Sequence, residues 1–495
     1  MAKFRNTNVN KTKTVNLAGG QAYKESTKLE LVSLLLTSFV NDKFYESADS
    51  QLNRLAQMVK DLPDKKFAAK AAIYARNEFG MRSITHALAA ELVANVKGEQ
   101  WTKNAISKIV KRADDMLEIL AYYASKYGKP IPNSLKKGLR KAIGGFNSYE
   151  LAKYKGSKSD VKMVDLVNLV HPKGNENNSD ALKKLVIGEL KSTETWEAKL
   201  SDAGKQVSEI ADETEKAEKL TELKKDAWKE MLEKKKLGYF ALLRNLRNII
   251  EQAPECLDLA CEQLVDKEAI KRSLVLPFRF QTAMTEVTKV HGSRKAVMAI
   301  SEALDASVAN VPKFNGKTLI ALDESGSMSG KPWEIGSLFA AVLFKANEDA
   351  DLMTFSNDAR FQRPNPLDSV STISKALDCS QGGTNFHSIF DKAKEKYDRI
   401  IILSDLQGWM EGAASFSWIA SSSGKPLSKT FLDYKKRTGA DPKIFSFDLN
   451  GHGTLQFPES NVYCIAGWSE RIFEVMKLLE EDRNALINKI EQIEL

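Results

Sequence analysis

The chain has 495 residues, and at roughly 100–200 residues per domain that length calls for two or three hydrophobic cores. Hydrophobic residues make up 43% and charged residues 28%, near the soluble globular average, which excludes wholesale disorder and rod-like repeats. The longest apolar stretches run about a dozen residues, short of the ~20 that a bilayer span requires, so no membrane contact is expected. The first residues, MAKFRNTNVNKTKTVNLAGG, are basic and polar without an apolar secretory core, and a cytoplasmic protein is the expectation. Cys256, Cys261, Cys379 and Cys464 are scattered, form no CxxC pair and carry no assigned chemistry. The net charge of +8 is unevenly placed: residues 1–312 carry +12 and residues 313–495 carry −4.

Residues 1–26 read as a basic leader. From Thr27 to Ile300 apolar residues recur at helical spacing, as in KLELVSLLLTSFV, QLNRLAQMVKDL, KFAAKAAIYARNEF, ITHALAAELVANV and DDMLEILAYYASKY. Breakers at 62–64 (LPD), 79–81 (FGM) and 128–133 (GKPIPN) separate them. Successive short helices without strands predict a helical domain over 27–312, an α-solenoid of HEAT or armadillo type, although no fixed-period repeat is present. Residues 201–235 carry dense charge of both signs and read as a solvated helical hairpin or insert. Past Val311 the pattern changes to KTLIALD, DADLMTF, DRIIILSD, PKIFSFDL and NVYCIA, separated by helical stretches and followed by a last helix from Ser469. Short apolar runs alternating with helices predict a doubly wound, Rossmann-like parallel sheet over 313–495.

In that second domain the first strand runs into Asp323, Ser325 and Ser327 on one turn. A GGTN turn carries Thr384, and the RIIILS strand ends in Asp405. Two carboxylates and three hydroxyls are hard oxygen ligands that suit Mg²⁺, or Mn²⁺, in near-octahedral coordination. The pattern resembles the metal-ion-dependent adhesion site (MIDAS) of von Willebrand factor A domains over residues 315–495. The resemblance makes Asp323, Ser325, Ser327, Thr384 and Asp405 the expected divalent-cation ligands. A P-loop GxxxxGK[ST] is absent.

The +12 of the helical part suits phosphate, though most lysine-rich helix faces are simply solvated. Lys136, Lys137, Arg140 and Lys141 recur at i, i+1, i+4 and i+5 in SLKKGLRKAI, one side of a helix. The stretches YARNEFGMRSITHALAAEL, IPNSLKKGLRKAIGGFNSYELAKYK, VDLVNLVHPKG, TWEAKLSDAG, YFALLRNLRNI and LPFRF are similar, in order, to the TROVE module of the Ro RNA-binding proteins. With the A domain behind them, the chain resembles a Ro protein of the bacterial or phage-encoded kind. The resemblance implies a ring of HEAT-like helices closed by the A domain, acting as a monomer and without catalysis. It further implies Y-like small noncoding RNA on the outer face and single-stranded 3′ ends of misfolded RNA as ligands, in RNA quality control. An exoribonuclease or another protein ligand is an implied partner. The KYK and HPK segments place Lys153, Lys155, Lys158, His171 and Lys173 on the Y-RNA-type surface. A capping or core role is the plainer reading of His171, and ring-holding hydrogen bonds are the plainer reading of Arg82, Arg244, Arg247 and Arg279. Two rivals remain: a protein-adhesion scaffold working through the A domain, and a Mg²⁺-dependent nuclease. The second lacks the converging carboxylates that two-metal chemistry needs.

Overall fold

The computed structural model describes residues 12–15, 21–24, 26–37, 48–155, 160–191, 196–208, 210–273, 275, 277–379, 382–406, 427–449, 462–466, 472–481 and 485–495. Strands β1 (Thr12–Val15) and β2 (Gln21–Lys24) pair antiparallel within the basic N-terminal segment. Helices α1 (Thr27–Thr37), α2 (Ala48–Asp61), α3 (Lys65–Asn77), α4 (Ser83–Asn95), α5 (Trp101–Ile109), α6 (Ala113–Tyr127), α7 (Asn133–Ile143), α8 (Ser148–Tyr154), α9 (Met163–Val170) and α10 (Ser179–Val186) follow. Odd helices stack on odd ones from α1 to α9, and even helices on even ones from α2 to α10. Each helix therefore buries its apolar stripe against the helix two places away, which is the two-layer arrangement of a solenoid. Such a stack needs apolar faces, not identical repeats, so no fixed period shows in the sequence.

The second half of the helical part comprises α11 (Trp196–Gln206), α12 (Glu213–Glu233), α13 (Tyr239–Gln252), α14 (Leu257–Leu264), α15 (Lys267–Ser273), α16 (Pro277–Val287) and α17 (Arg294–Ser307). The charged stretch is indeed a hairpin of α11 on α12, and α12 buries only Trp228, Met231 and Leu232 near its end. Asp115 of α6 has no exposed side-chain surface and ties three helices together. It accepts hydrogen bonds from Arg76 Nη2 at 2.7 Å and Arg82 Nη2 at 3.0 Å, and from the Lys111 and Arg112 amides at 3.0 Å each. His86 Nε2 stands 3.1 Å from its Oδ1. Arg82 also reaches Asp114 at 2.8 Å, so its role is to hold the ring together.

The α/β part contains β3 (Thr318–Asp323), α18 (Lys331–Ala346), β4 (Ala350–Phe355), β5 (Ala359–Gln362), α19 (Val370–Ala376), α20 (His387–Lys392), β6 (Arg399–Ser404), α21 (Leu427–Thr438), β7 (Lys443–Asp448), β8 (Val462–Ala466), α22 (Ile472–Glu481) and α23 (Ala485–Glu491). Its sheet has the order β5-β4-β3-β6-β7-β8, parallel except for the antiparallel edge strand β5. The five expected strands form; β5 was not expected, because four residues reading ARFQ carry no apolar run. The last helical stretch forms two helices, α22 and α23, where one was expected.

The chain closes on itself. Helix α23 packs on α3 with Leu486 and Ile490 buried, and α1 packs on β8. Lys28 Nζ meets Glu491 at 2.6 Å, and Lys108 Nζ donates to the Glu494 carbonyl at 2.8 Å. At the other junction Phe278 of α16 lies 5.7 Å from Phe339 of α18, which stacks on Phe473 at 5.0 Å. The result is a ring of helices completed by the α/β domain. Among the described residues no helix is long and apolar enough to cross a membrane.

Candidate nucleic-acid interface and metal centre

Helix α7 seats closely on α5 because position 138 is glycine: a Cβ there would lie 2.7 Å from the Cβ of Ile106. This contact turns the lysines and arginine of SLKKGLRKAI outward. Lys137, Arg140 and Lys141 are exposed and Lys136 is half-buried. They are not equally available. Lys141 Nζ donates to Asn104 Oδ1 at 2.9 Å on the α5 side, and Arg140 Nε donates to the carbonyl of Val170 on the α9 side. The Val170 carbonyl is one that the end of α9 leaves without a helical partner, so Arg140 completes that terminus.

The next residue is His171. It is exposed, with φ 45° and ψ 64°, and its amide donates to the Val167 carbonyl at 2.9 Å. It is therefore the helix C-cap and not a core residue; its ring faces solvent. A left-handed backbone is unusual for a side chain with a Cβ and persists where surrounding structure enforces it. A left-handed residue that bonds back to the helix is a common C-cap; in the loop that follows, buried Asn178 donates to the carbonyls of Ile143 at 3.2 Å and Phe146 at 2.9 Å. Exposed Lys173 stands on the same loop.

Lys153 is exposed near the end of α8, its Nζ 5.5 Å from the Tyr154 ring, which Arg112 also covers at 4.7 Å. Lys155 is half-buried and donates to the Leu190 carbonyl, a positioning contact. Lys158 lies outside the described residues. Helix α7 packs on α9, while α8 and α9 both pack on α6 and α10, so these cations stand on neighbouring helices. Beside them Lys137, Lys97, Lys103 and Tyr123 border a cleft of about 400 Å³. Lys97 and Lys103 escaped sequence reasoning because neither belongs to a dense basic run.

In the α/β domain the strand order switches about β3: the chain leaves it for β4 on one side and returns as the parallel β6 on the other. The crevice at the carboxyl ends of such strands is where open α/β sheets take ligands. Asp323 and Ser404 end these two strands, with Asp405 next in the chain. Asp323 Oδ1 accepts from the Ser325 amide at 2.9 Å, its Oδ2 accepts from Ser404 Oγ at 2.5 Å, and Ser325 Oγ lies 3.2 Å from Ser327 Oγ. The Gly326 amide donates to the Gly382 carbonyl at 3.1 Å, which brings the loop of Thr384 to the Asp323 turn. Asp323, Ser325, Thr384 and Asp405 are all buried, while Ser327 is exposed. Glu324 points elsewhere, to Arg360 at 2.8 Å.

Burial, partly offset by the hydrogen bonds from Ser404 and Ser325 and reinforced by the charge of Asp405, pushes the Asp323 carboxyl up to about 7. Two buried carboxylates beside three hydroxyl oxygens form a donor set that fits a hard divalent cation. Among the described residues no group of three or more His, Cys, Asp and Glu could hold a metal, so the hydroxyls are needed to complete any such site.

The sequence profile of the TROVE domain matches residues 6–226 and 189–317; the two matches overlap across the charged hairpin. The chain is 23% identical over 493 residues to the RNA-binding protein RO60 of Deinococcus radiodurans, covering 88% of each. The crystal structure of the Deinococcus radiodurans RO (RSR) protein shares the fold, with a TM-score of 0.61 at 16% identity over 90% of this chain and 97% of that one. The profile matches span more than half of the chain, and it belongs to the TROVE domain family.

Proposed function

We propose that this chain is a non-catalytic RNA-binding protein of Ro type in the cytoplasm, working as a single-chain ring. It takes Y-like small noncoding RNA on the surface around Lys153, His171 and Lys173, takes single-stranded 3′ ends of misfolded RNA in quality control, and hands them to an exoribonuclease partner. The observation that carries the reading is His171, exposed and held in a left-handed conformation beside exposed lysines, where a core or purely capping residue has no need of an imidazole. The similarity to the RNA-binding protein RO60 supports RNA as the ligand class. Changing His171→Ser together with Lys153→Ala should weaken binding of a small stem-loop RNA about tenfold, or ~1.4 kcal/mol, with an unchanged circular dichroism spectrum. Equal affinity in filter binding would return His171 to a capping role alone.

The second part of the proposal is that Asp323, Ser325, Ser327, Thr384 and Asp405 hold Mg²⁺ or Mn²⁺. When bound, the cation neutralises the buried acidic pair and offers open positions to an acidic group of a protein ligand. Asp323→Ala should lower cation affinity at least tenfold by calorimetry, because it removes the carboxylate at the centre of the turn. Stem-loop RNA binding should survive. A nuclease reading predicts Mg²⁺-dependent cleavage by the unmodified protein instead, and Glu324, committed to Arg360, is not placed to serve it.

A further inference from the structure

The cleft of about 400 Å³ is built where α4, α5 and α7 meet. Helix α4 ends at Asn95, and Gly98, with φ 79°, turns the chain toward α5 while its neighbour Lys97 stands on the rim. Lys103 follows in the first turn of α5, and the close seat of Gly138 on Ile106 brings Lys137 of α7 to the same rim. Val93, Val96 and Tyr123, all buried, form an apolar wall behind these cations.

The rim is short of counter-charge. Lys97 and Lys137 are exposed and pair with no group among the described residues, while Lys103 Nζ donates only to the neutral Gln100 side chain at 3.2 Å. The acid on the rim, Glu99, is exposed and makes no ion pair with any of the three among the described residues. Helix α7 adds to the same sign: Asn133 and Ser134 border the cleft, and the N-cap Pro132 supplies no side-chain cap to the first-turn amides. A concave wall of low dielectric focuses such a potential, which a convex lysine face does not. The volume lies in the range of small-ligand clefts, about 300–1,000 Å³.

Three cations around one hollow, backed by an apolar wall, match a compact anion on an apolar body. A phosphodiester brings one negative charge per phosphate, whereas a phosphomonoester brings about 1.5–2 at pH 7 and three strong acceptor oxygens. We propose that the cleft between α4, α5 and α7 binds a small organic phosphomonoester, its dianion held by Lys97, Lys103 and Lys137 and its body laid on Val93, Val96 and Tyr123. The site is separate from the surface around His171 and does not depend on the RNA reading.

The test is a fluorescence titration of the full chain with naphthyl phosphate, which combines the dianion with a flat apolar body. Naphthol and inorganic phosphate, its two halves, serve as controls. Naphthyl phosphate should bind saturably at one equivalent and more tightly than either half. Lys97→Ala together with Lys103→Ala should weaken it about tenfold or more, the scale of losing charge-assisted hydrogen bonds. Lys97→Glu, a change at an exposed position that is expected to fold, should give a comparable loss. Lys173→Ala should leave naphthyl phosphate binding unchanged, and stem-loop RNA should bind the Lys97→Ala, Lys103→Ala protein as it binds the unmodified one. No saturable binding of naphthyl phosphate, equal binding by the lysine variants, or naphthol binding as tightly as its phosphate overturns the site. A loss of stem-loop RNA in the lysine variants, without naphthyl phosphate binding to the unmodified protein, assigns the cleft to the RNA surface, which overturns this site and leaves the RNA reading intact.

Discussion

Asp115→Ala should destabilise the helical ring by about 3–5 kcal/mol, the cost of breaking a buried ion pair by removing one partner. The acid is fully buried and accepts from two guanidinium groups and two backbone amides; without it Arg76, itself buried, is left uncompensated. The loss should appear as a lower midpoint for the helical transition in urea, since α3, α4 and α6 all end on this carboxylate. Burial by itself would raise the proton affinity of Asp115, but the His86 contact and the Arg76 charge outweigh it and hold the carboxyl well below its ordinary 3.8. The sign follows from linkage. A carboxylate depressed in the folded state contributes stability in full above its unfolded value and loses it as the pH falls toward the folded one. The midpoint difference between the unmodified protein and Asp115→Asn should therefore be constant above about pH 5 and shrink below about pH 4. A difference that ignores pH would show that shape, and not charge, makes the site.

Affinity for a stem-loop RNA should fall steeply with salt. Lys153, Lys173, Lys137 and Lys141 are exposed on and beside the proposed face, and about four neutralised phosphates give a slope of about −3 to −4 in log K against log salt. Raising salt from about 50 to 200 mM should then cost about 50- to 150-fold in affinity. Lys141→Ala should lower the slope by less than Lys173→Ala, because Lys141 is engaged by Asn104. A flat response, or no binding at low salt, would remove phosphate as the counterpart of this face.

Features encoded locally were legible in the sequence. Apolar spacing predicted the solenoid because each helix needs only one buried stripe, and strand-sized runs predicted the parallel sheet. The Asp323 turn could be read because Asp323, Ser325 and Ser327 occupy one short segment, and because strand ends are marked by where apolar runs stop. What the sequence alone determined is which residues are charged, which faces are apolar and where helices break.

Only the tertiary structure decided which charges remain available. Arg82, Arg140, Lys155 and Arg247 look as phosphate-seeking as their neighbours, yet each is taken by an acid or a carbonyl from another part of the chain. Arg244, with the same sequence credentials as Arg247, is left facing Phe240. Asn178 bonds the end of α7 from the loop that follows His171, a contact no local pattern encodes. The physical reason is reach: long cationic side chains bond whatever stands across a helix contact, and that partner is set by packing of residues far away in the chain.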